Sequence, residues 1–158
     1  MKNLRTSAVC VLVTLYSICA NAQSQQFIPI NEPNMNKPEM FRNMPDNIPV
    51  SMSNITSLFG TTVGSPINVE ISSASTFQFE GQVVSSVSKY NNSMVSVVVR
   101  STNYPGALLS LTRVTDDNNS ISYTGRIISM QHADLYELRN INGQFFMVKR
   151  KFYDLVNE

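Results

Sequence analysis

Residues 77–130 read FQFEGQVVSSVSKYNNSMVSVVVRSTNYPGALLSLTRVTDDNNSISYTGRIISM, and their spacing decides the fold class. Runs rich in Val, Ile, Leu, Phe and Tyr are cut by Asn91-Asn92, by Asn103-Tyr104-Pro105-Gly106 and by Asp116-Asp117-Asn118-Asn119. Period-two alternation interrupted by turn-forming residues is the pattern of consecutive antiparallel strands. In an extended chain Phe77, Phe79, Val83 and Val87 fall on one side, while Gln78, Glu80, Gln82, Ser86 and Ser88 fall mostly on the other. Val97-Val98-Val99 is apolar on both sides, as expected of a central strand covered on both faces. At the turn through Pro105 and Gly106, proline presets φ at one position and glycine admits positive φ at the next.

Working outward, Ile67-Asn68-Val69-Glu70-Ile71 alternates cleanly and predicts a first short strand after the break at Gly64-Ser65-Pro66. Ser53 to Gly60 predicts a helical turn, capped by Ser53 or Asn54 and ended by glycine. Downstream, Asn142-Gly143 is a type I′ hairpin signal that pairs Leu135–Arg139 with Gln144–Lys149. The end of the chain either continues that strand or forms a short helix packing Phe152, Leu155 and Val156. The expectation is an all-β domain over residues 50–158, a meander of about six or seven antiparallel strands curled into a small barrel or a two-layer sandwich.

The N-terminus carries a different pattern. Met1-Lys2-Asn3-Leu4-Arg5 precedes an apolar run from Ala8 to Ala20 and the small-x-small site Ala20-Asn21-Ala22, which together read as a cleavable secretory signal peptide over residues 1–22. The run is shorter than the ~20 residues of a spanning helix, so no membrane span is expected in the mature chain, and the expected location is secreted or periplasmic. Cleavage removes Cys10 and Cys19, the only cysteines, so the mature chain has no disulfide and no thiolate. It also removes Lys2 and Arg5, leaving ten basic and eleven acidic residues. That balance offers no general attraction to nucleic acid. Residues 23–49 hold five of the seven prolines among Asn, Gln and Met, and read as a leader, disordered or extended across the domain surface.

Chemical motifs are sparse. His132 is the only histidine, which excludes a two-histidine metal site, and no Gly-x-Ser-x-Gly elbow accompanies it. Asp134, Glu137 and His132 are the one combination that a small hydrolase would use. Asp116 to Asn119 lacks the spacing of a calcium loop and reads as a turn. No phosphate-binding glycine loop is present, and neither a metal nor a cofactor is expected. Arg100, Arg113, Arg126 and Arg139 stand thirteen residues apart. Strand-plus-turn units of similar length explain that spacing, and a basic ladder receiving an acidic partner is its functional alternative.

Phe79-Glu80-Gly81-Gln82-Val83, a Val-rich strand, Ser122-Tyr123-Thr124-Gly125-Arg126-Ile127 and then Leu135-Tyr136-Glu137-Leu138 with a glycine hairpin resemble the β-rich prodomains of secreted zinc metalloproteases. The whole chain is also similar to small exported bacterial proteins of unknown function. The prodomain resemblance implies a module that binds a secreted protease, and departs from that pattern in having no mature cysteine to cap a zinc ion. The leading expectation is therefore a non-enzymatic exported module with an unidentified protein partner, inhibitor-like or prodomain-like in its most specific form. A lipid- or glycan-binding β-domain is the alternative, and a hydrolase comes third. The expected contact surface is the leader around Phe41 with the loop Tyr104, Pro105 and Gly106, because loops on a rigid sheet present contacts well. Amino-terminal sequencing of the exported protein is expected to begin at Gln23, and an intact Met1 on that material would overturn the cleavage reading.

Overall fold

The computed structural model describes residues 36–72 and 77–155. Residues 1–22, expected to be a signal peptide, the leader as far as residue 35 and Val156 lie outside the described residues. The elements are β1 (Asn47–Pro49), α1 (Met52–Thr56), β2 (Pro66–Glu70), β3 (Gln78–Lys89), β4 (Met94–Ser101), β5 (Ala107–Thr115), β6 (Ile121–Ser129), β7 (Asp134–Ile141) and β8 (Gln144–Lys151), followed by a 3-10 turn at Phe152–Leu155. All eight strands form one antiparallel sheet in the order β1-β8-β7-β6-β5-β4-β3-β2, curled into a half-barrel. From β2 to β8 each strand pairs with its neighbours in sequence, as a meander requires.

The turns form where their residues demand them. Asn142 adopts φ 54° at the β7–β8 hairpin, and Asn91 and Asn92 adopt φ 51° and 69° between β3 and β4. Asp116 closes the β5–β6 turn, its Oδ1 accepting the amides of Asn118 at 3.0 Å and Ser120 at 2.7 Å. The chain's end resolves into both expected forms, a strand to Lys151 and then the 3-10 turn, tied back by Phe152 N–H to Ala133 O at 2.7 Å.

The sheet's inner face holds the core. Phe79 on β3, Val97 and Val99 on β4, Leu109 and Leu111 on β5, Ile127 on β6, Tyr136 on β7 and Met147 on β8 are all buried. Register aligns them in rows: Val97 lies opposite Leu111, Val99 opposite Leu109, Leu109 opposite Ile127 and Ile127 opposite Tyr136. The two ends of the sheet are bridged beyond β1, where Ser51 N–H donates to Ile71 O at 2.9 Å and Asn54 Nδ2 donates to Glu70 O at 2.8 Å. No helix among the described residues is long and apolar enough to cross a membrane.

Two expectations are corrected here. The strand buried on both faces is β7, whose residues Asp134 to Leu138 are all buried, whereas Val98 in the middle of β4 is only half-buried. The second concerns residues 36–49, read as a leader outside the domain. Asn47–Pro49 pairs with Val148, Met147 and Phe146 as an eighth strand, and Phe41 is 1% exposed inside the core. Proline does not forbid this, because β1 lies at the edge of the sheet, where a missing N–H costs no ladder bond.

Residues 38–46 cross the core as a strap. Ala133 N–H donates to Pro38 O at 2.9 Å, and the amides of Met40 and Phe41 donate to Asp134 Oδ1 and Oδ2 at 2.6 and 2.7 Å. Tyr136 Oη donates to Pro45 O at 2.6 Å, Lys149 N–H to Asp46 O at 2.7 Å, and Lys149 Nζ to Met44 O. Truncating Phe41 removes an aromatic ring from this core, so Phe41→Ala is expected to lower stability by about 3–5 kcal/mol. Asp134→Ala strands two buried amides and is expected to cost about 1–3 kcal/mol. Urea unfolding midpoints of the two variants check both values, and an unchanged midpoint for Phe41→Ala would refute the strap's place in the core.

Candidate functional site

The structure brings Phe41 and Tyr104 together, but as packing partners. Their ring centroids lie 5.5 Å apart, and both rings also contact Phe77, at 6.3 and 5.9 Å. Phe41 lies 4.9 Å from Tyr136, and Tyr104 stacks on Phe79 at 6.0 Å. The Phe41 ring is therefore turned inward and offers no surface to a partner, because the strap needs an apolar anchor over the half-barrel. Tyr104 is half-buried, whereas Pro105 and Gly106 are exposed on a turn closed by Ala107 N–H to Tyr104 O at 3.0 Å. Gly106 sits at φ 80°, the conformation its place in the turn requires. Burial raises the Tyr104 phenol, and it raises Tyr136 further, with Asp134 and Asp46 adding to the effect. Both phenols stay protonated, so Tyr136 remains a donor to Pro45.

The three residues considered for hydrolysis are engaged separately. Asp134 holds the strap amides, His132 Nδ1 lies 2.8 Å from Ser129 Oγ, and Glu137 binds arginines. Among the described residues no group of three or more His, Cys, Asp or Glu side chains is placed to hold a metal ion.

A different place in the sheet gathers charge. β5 and β6 pair through nine residues and β7 and β8 through eight, but β6 and β7 pair only at Arg126–Glu137, Ile127–Tyr136 and Ile128–Leu135. From Gly125 back to Ile121, and from Leu138 on to Ile141, the two strands have no register partner across this seam. A Cβ at Gly125 would lie 2.6 Å from Leu111 Cδ2 and 3.5 Å from Leu138 Cβ, so only bare backbone fits beneath the two leucines.

On the outer face beside the seam, Glu137 collects three guanidinium groups. Arg126 Nη2 lies 3.1 Å from Oε1; Arg139 donates from Nε to Oε2 at 2.8 Å, with its Nη2 2.7 Å from the same oxygen; Arg150 Nε stands 3.9 Å from Oε2. Strand geometry explains the meeting. Arg126 is directly opposite Glu137, Arg139 follows two residues along the same face, and Arg150 is the diagonal neighbour on β8, two residues beyond Val148. The Glu137 side chain is 10% exposed, against 46%, 47% and 37% for Arg126, Arg139 and Arg150. Burial by itself raises the Glu137 carboxyl, but the hydrogen bonds from Arg139 and Arg126 outweigh it and hold the group below its ordinary range.

Next to this network lies a groove of about 430 Å³. Ser110 and Thr112 of β5, Thr124 and Arg126 of β6 and Glu137 and Arg139 of β7 line it, and Gly125 and Leu138 complete the lining at the seam. A second, smaller groove of about 280 Å³ opens at Phe59, Ser86, Ser88 and Arg113. Arg113 lies over the Phe59 ring at 5.8 Å, and its buried Nε has no hydrogen-bond partner.

The thirteen-residue arginine series is thus split by the sheet. Arg113 shares the face of Leu109 and Leu111, Arg100 stands on the outer face of β4 opposite Gln82, and only Arg126 and Arg139 converge. Compared with protein-family models, with curated proteins and with solved structures, the chain matches none.

Because the carboxyl of Glu137 is depressed in the folded state, it stabilises the fold fully above the ordinary glutamate value of 4.5, and that contribution is lost as pH falls through and below it. Glu137→Gln is expected to lower the urea midpoint at neutral pH and to narrow its gap from the parent protein as pH falls below about 4. A constant gap across that window would show that Glu137 titrates as an unpaired carboxyl.

Proposed function

We propose that the chain is an exported, non-enzymatic protein-interaction module that engages its partner through the open strand edges and charged groove at the β6–β7 seam. The observation that carries this reading is a sheet whose inner face is filled by its own side chains while two strand edges in its middle lack register partners. A filled interior leaves no apolar cavity for a lipid. Unpaired strand edges are the usual means by which sheets take up an extended segment of another protein.

The outer edges are less suited to that role. β1 has three residues and ends in Pro49, and β2 has five and begins at Pro66. Short, proline-bearing edges are those that sheets use to block pairing. The seam has neither protection. An inhibitor-like or prodomain-like action on a secreted protease is the most specific form of this reading. A glycan-binding reading has the groove's hydroxyls and arginines in its favour, but among the described residues no aromatic ring lines that groove, and Tyr104 and Tyr136 are engaged in the core.

The test is affinity capture with the full chain from the exported fraction of the cells that make it, followed by mass spectrometry. A stoichiometric protein partner, whose proteolytic activity is then assayed with and without the chain, is the expected result. Recovery of a lipid or glycan with no protein would overturn the reading.

A further inference from the structure

The arginines at the seam exceed the charge they hold. The guanidinium groups of Arg126 and Arg139 share one carboxylate, so the pair carries excess positive charge although the chain as a whole is close to neutral. Each guanidinium has five N–H donors. Glu137 engages Nε and Nη2 of Arg126 and of Arg139, which leaves the Nη1 donors of both for an incoming group. Glu137 in turn holds the two guanidiniums in place, so less side-chain entropy is lost when they bind.

We infer that the seam receives an extended, acidic peptide segment, whose carboxylates meet Arg126 and Arg139 while its backbone pairs with the open edge of β6 or β7. This rests on the interaction reading above and names the chemistry of the partner. Charge complementarity selects the acid: the groove carries Arg126 and Arg139, and its β5 wall, Ser110 and Thr112, is neutral and hydroxyl-bearing. The strand edges select a polypeptide, because backbone N–H and C=O groups in strand spacing match another backbone. In an extended segment alternate side chains point the same way, so acidic residues two apart would face the arginines together.

The experiment measures fluorescence anisotropy of labelled octapeptides with the full chain. The probes are (Thr-Glu)4, (Thr-Lys)4, and (Thr-Glu)4 methylated on alternate backbone nitrogens, with a heparin oligosaccharide as the non-peptide polyanion. (Thr-Glu)4 is expected to bind at least about tenfold more tightly than the other two peptides, and more weakly as salt rises. Arg126→Gln with Arg139→Gln is expected to remove that preference. Because the double variant strips Glu137 of two partners, Ser110→Glu provides a second variant that leaves all three arginines in place. It adds a carboxylate opposite Arg126, on the neutral wall, and is expected to reduce (Thr-Glu)4 binding about tenfold with the unfolding midpoint retained.

Equal binding of the methylated peptide would overturn strand pairing, and heparin binding without (Thr-Glu)4 binding would overturn the peptide assignment. Affinity capture with Ser110→Glu separates the two readings. If that variant retains a partner that the parent chain captures, the seam assignment falls and the interaction module stands. If the parent chain captures no protein, the module reading falls with it.

Discussion

The carboxylate of Asp134 accepts the amides of Met40 and Phe41, and the enclosure of the core depends on that pair. A single curled sheet has an apolar inner face with nothing to close it, and among the described residues no long helix lies across this one. The strap supplies the cover. Its backbone would bury polar groups against the aromatics, a cost of a few kcal/mol for each unpaired group, unless the sheet answered them. Asp134 answers two amides, Ala133 donates to Pro38 O, and Tyr136 reaches Pro45 O from within the core. With the strap held, Phe41 completes a cluster with Phe77, Tyr104 and Tyr136 in which five ring pairs have centroids 4.9 to 6.3 Å apart. That range is the one aromatic edges and faces favour.

Filling the interior has a consequence for the sheet. Leu111 and Leu138 press toward Gly125, and it is there that β6 and β7 stop pairing. The opening that results lies on the outer face, where Glu137 and its arginines stand. Half-exposed ion pairs contribute little stability, so this network is better understood as a device that holds guanidinium groups in fixed positions. Glu137 is the exception within it, since a buried carboxylate deprived of its partners is costly. The interior is thus closed by burial, and the recognition we propose falls to the seam.

Much of this architecture was legible along the chain. Seven of the eight strands follow from alternation, and Asn91-Asn92, Asp116 to Asn119 and Asn142-Gly143 each made a turn where turn chemistry places one. The eighth strand was hidden because Asn47–Pro49 is three residues long and contains a proline, too short for a period and marked by a strand breaker. Phe41 was expected at a contact surface because it lies in a proline-rich stretch with no period of its own. Val97-Val98-Val99 was read as doubly covered because composition does not say what lies above a strand. The seam left only a partial trace, in the spacing of Arg126 and Arg139.

Alternation, turn residues and proline placement are properties of neighbours in the chain, and the sequence by itself determined the all-β class and the meander from them. The strap's hydrogen bonds join residues 91 to 105 positions apart. The gap between β6 and β7 depends on how Leu111, Gly125 and Leu138 meet across three strands, and the arginine network on register across β6, β7 and β8. Local pattern is blind to such distances, because a strand's period states which residues share a face but not what that face will meet. Only the tertiary structure decided that Phe41 closes the core and that Arg126, Arg139 and Arg150 surround Glu137 beside an open seam.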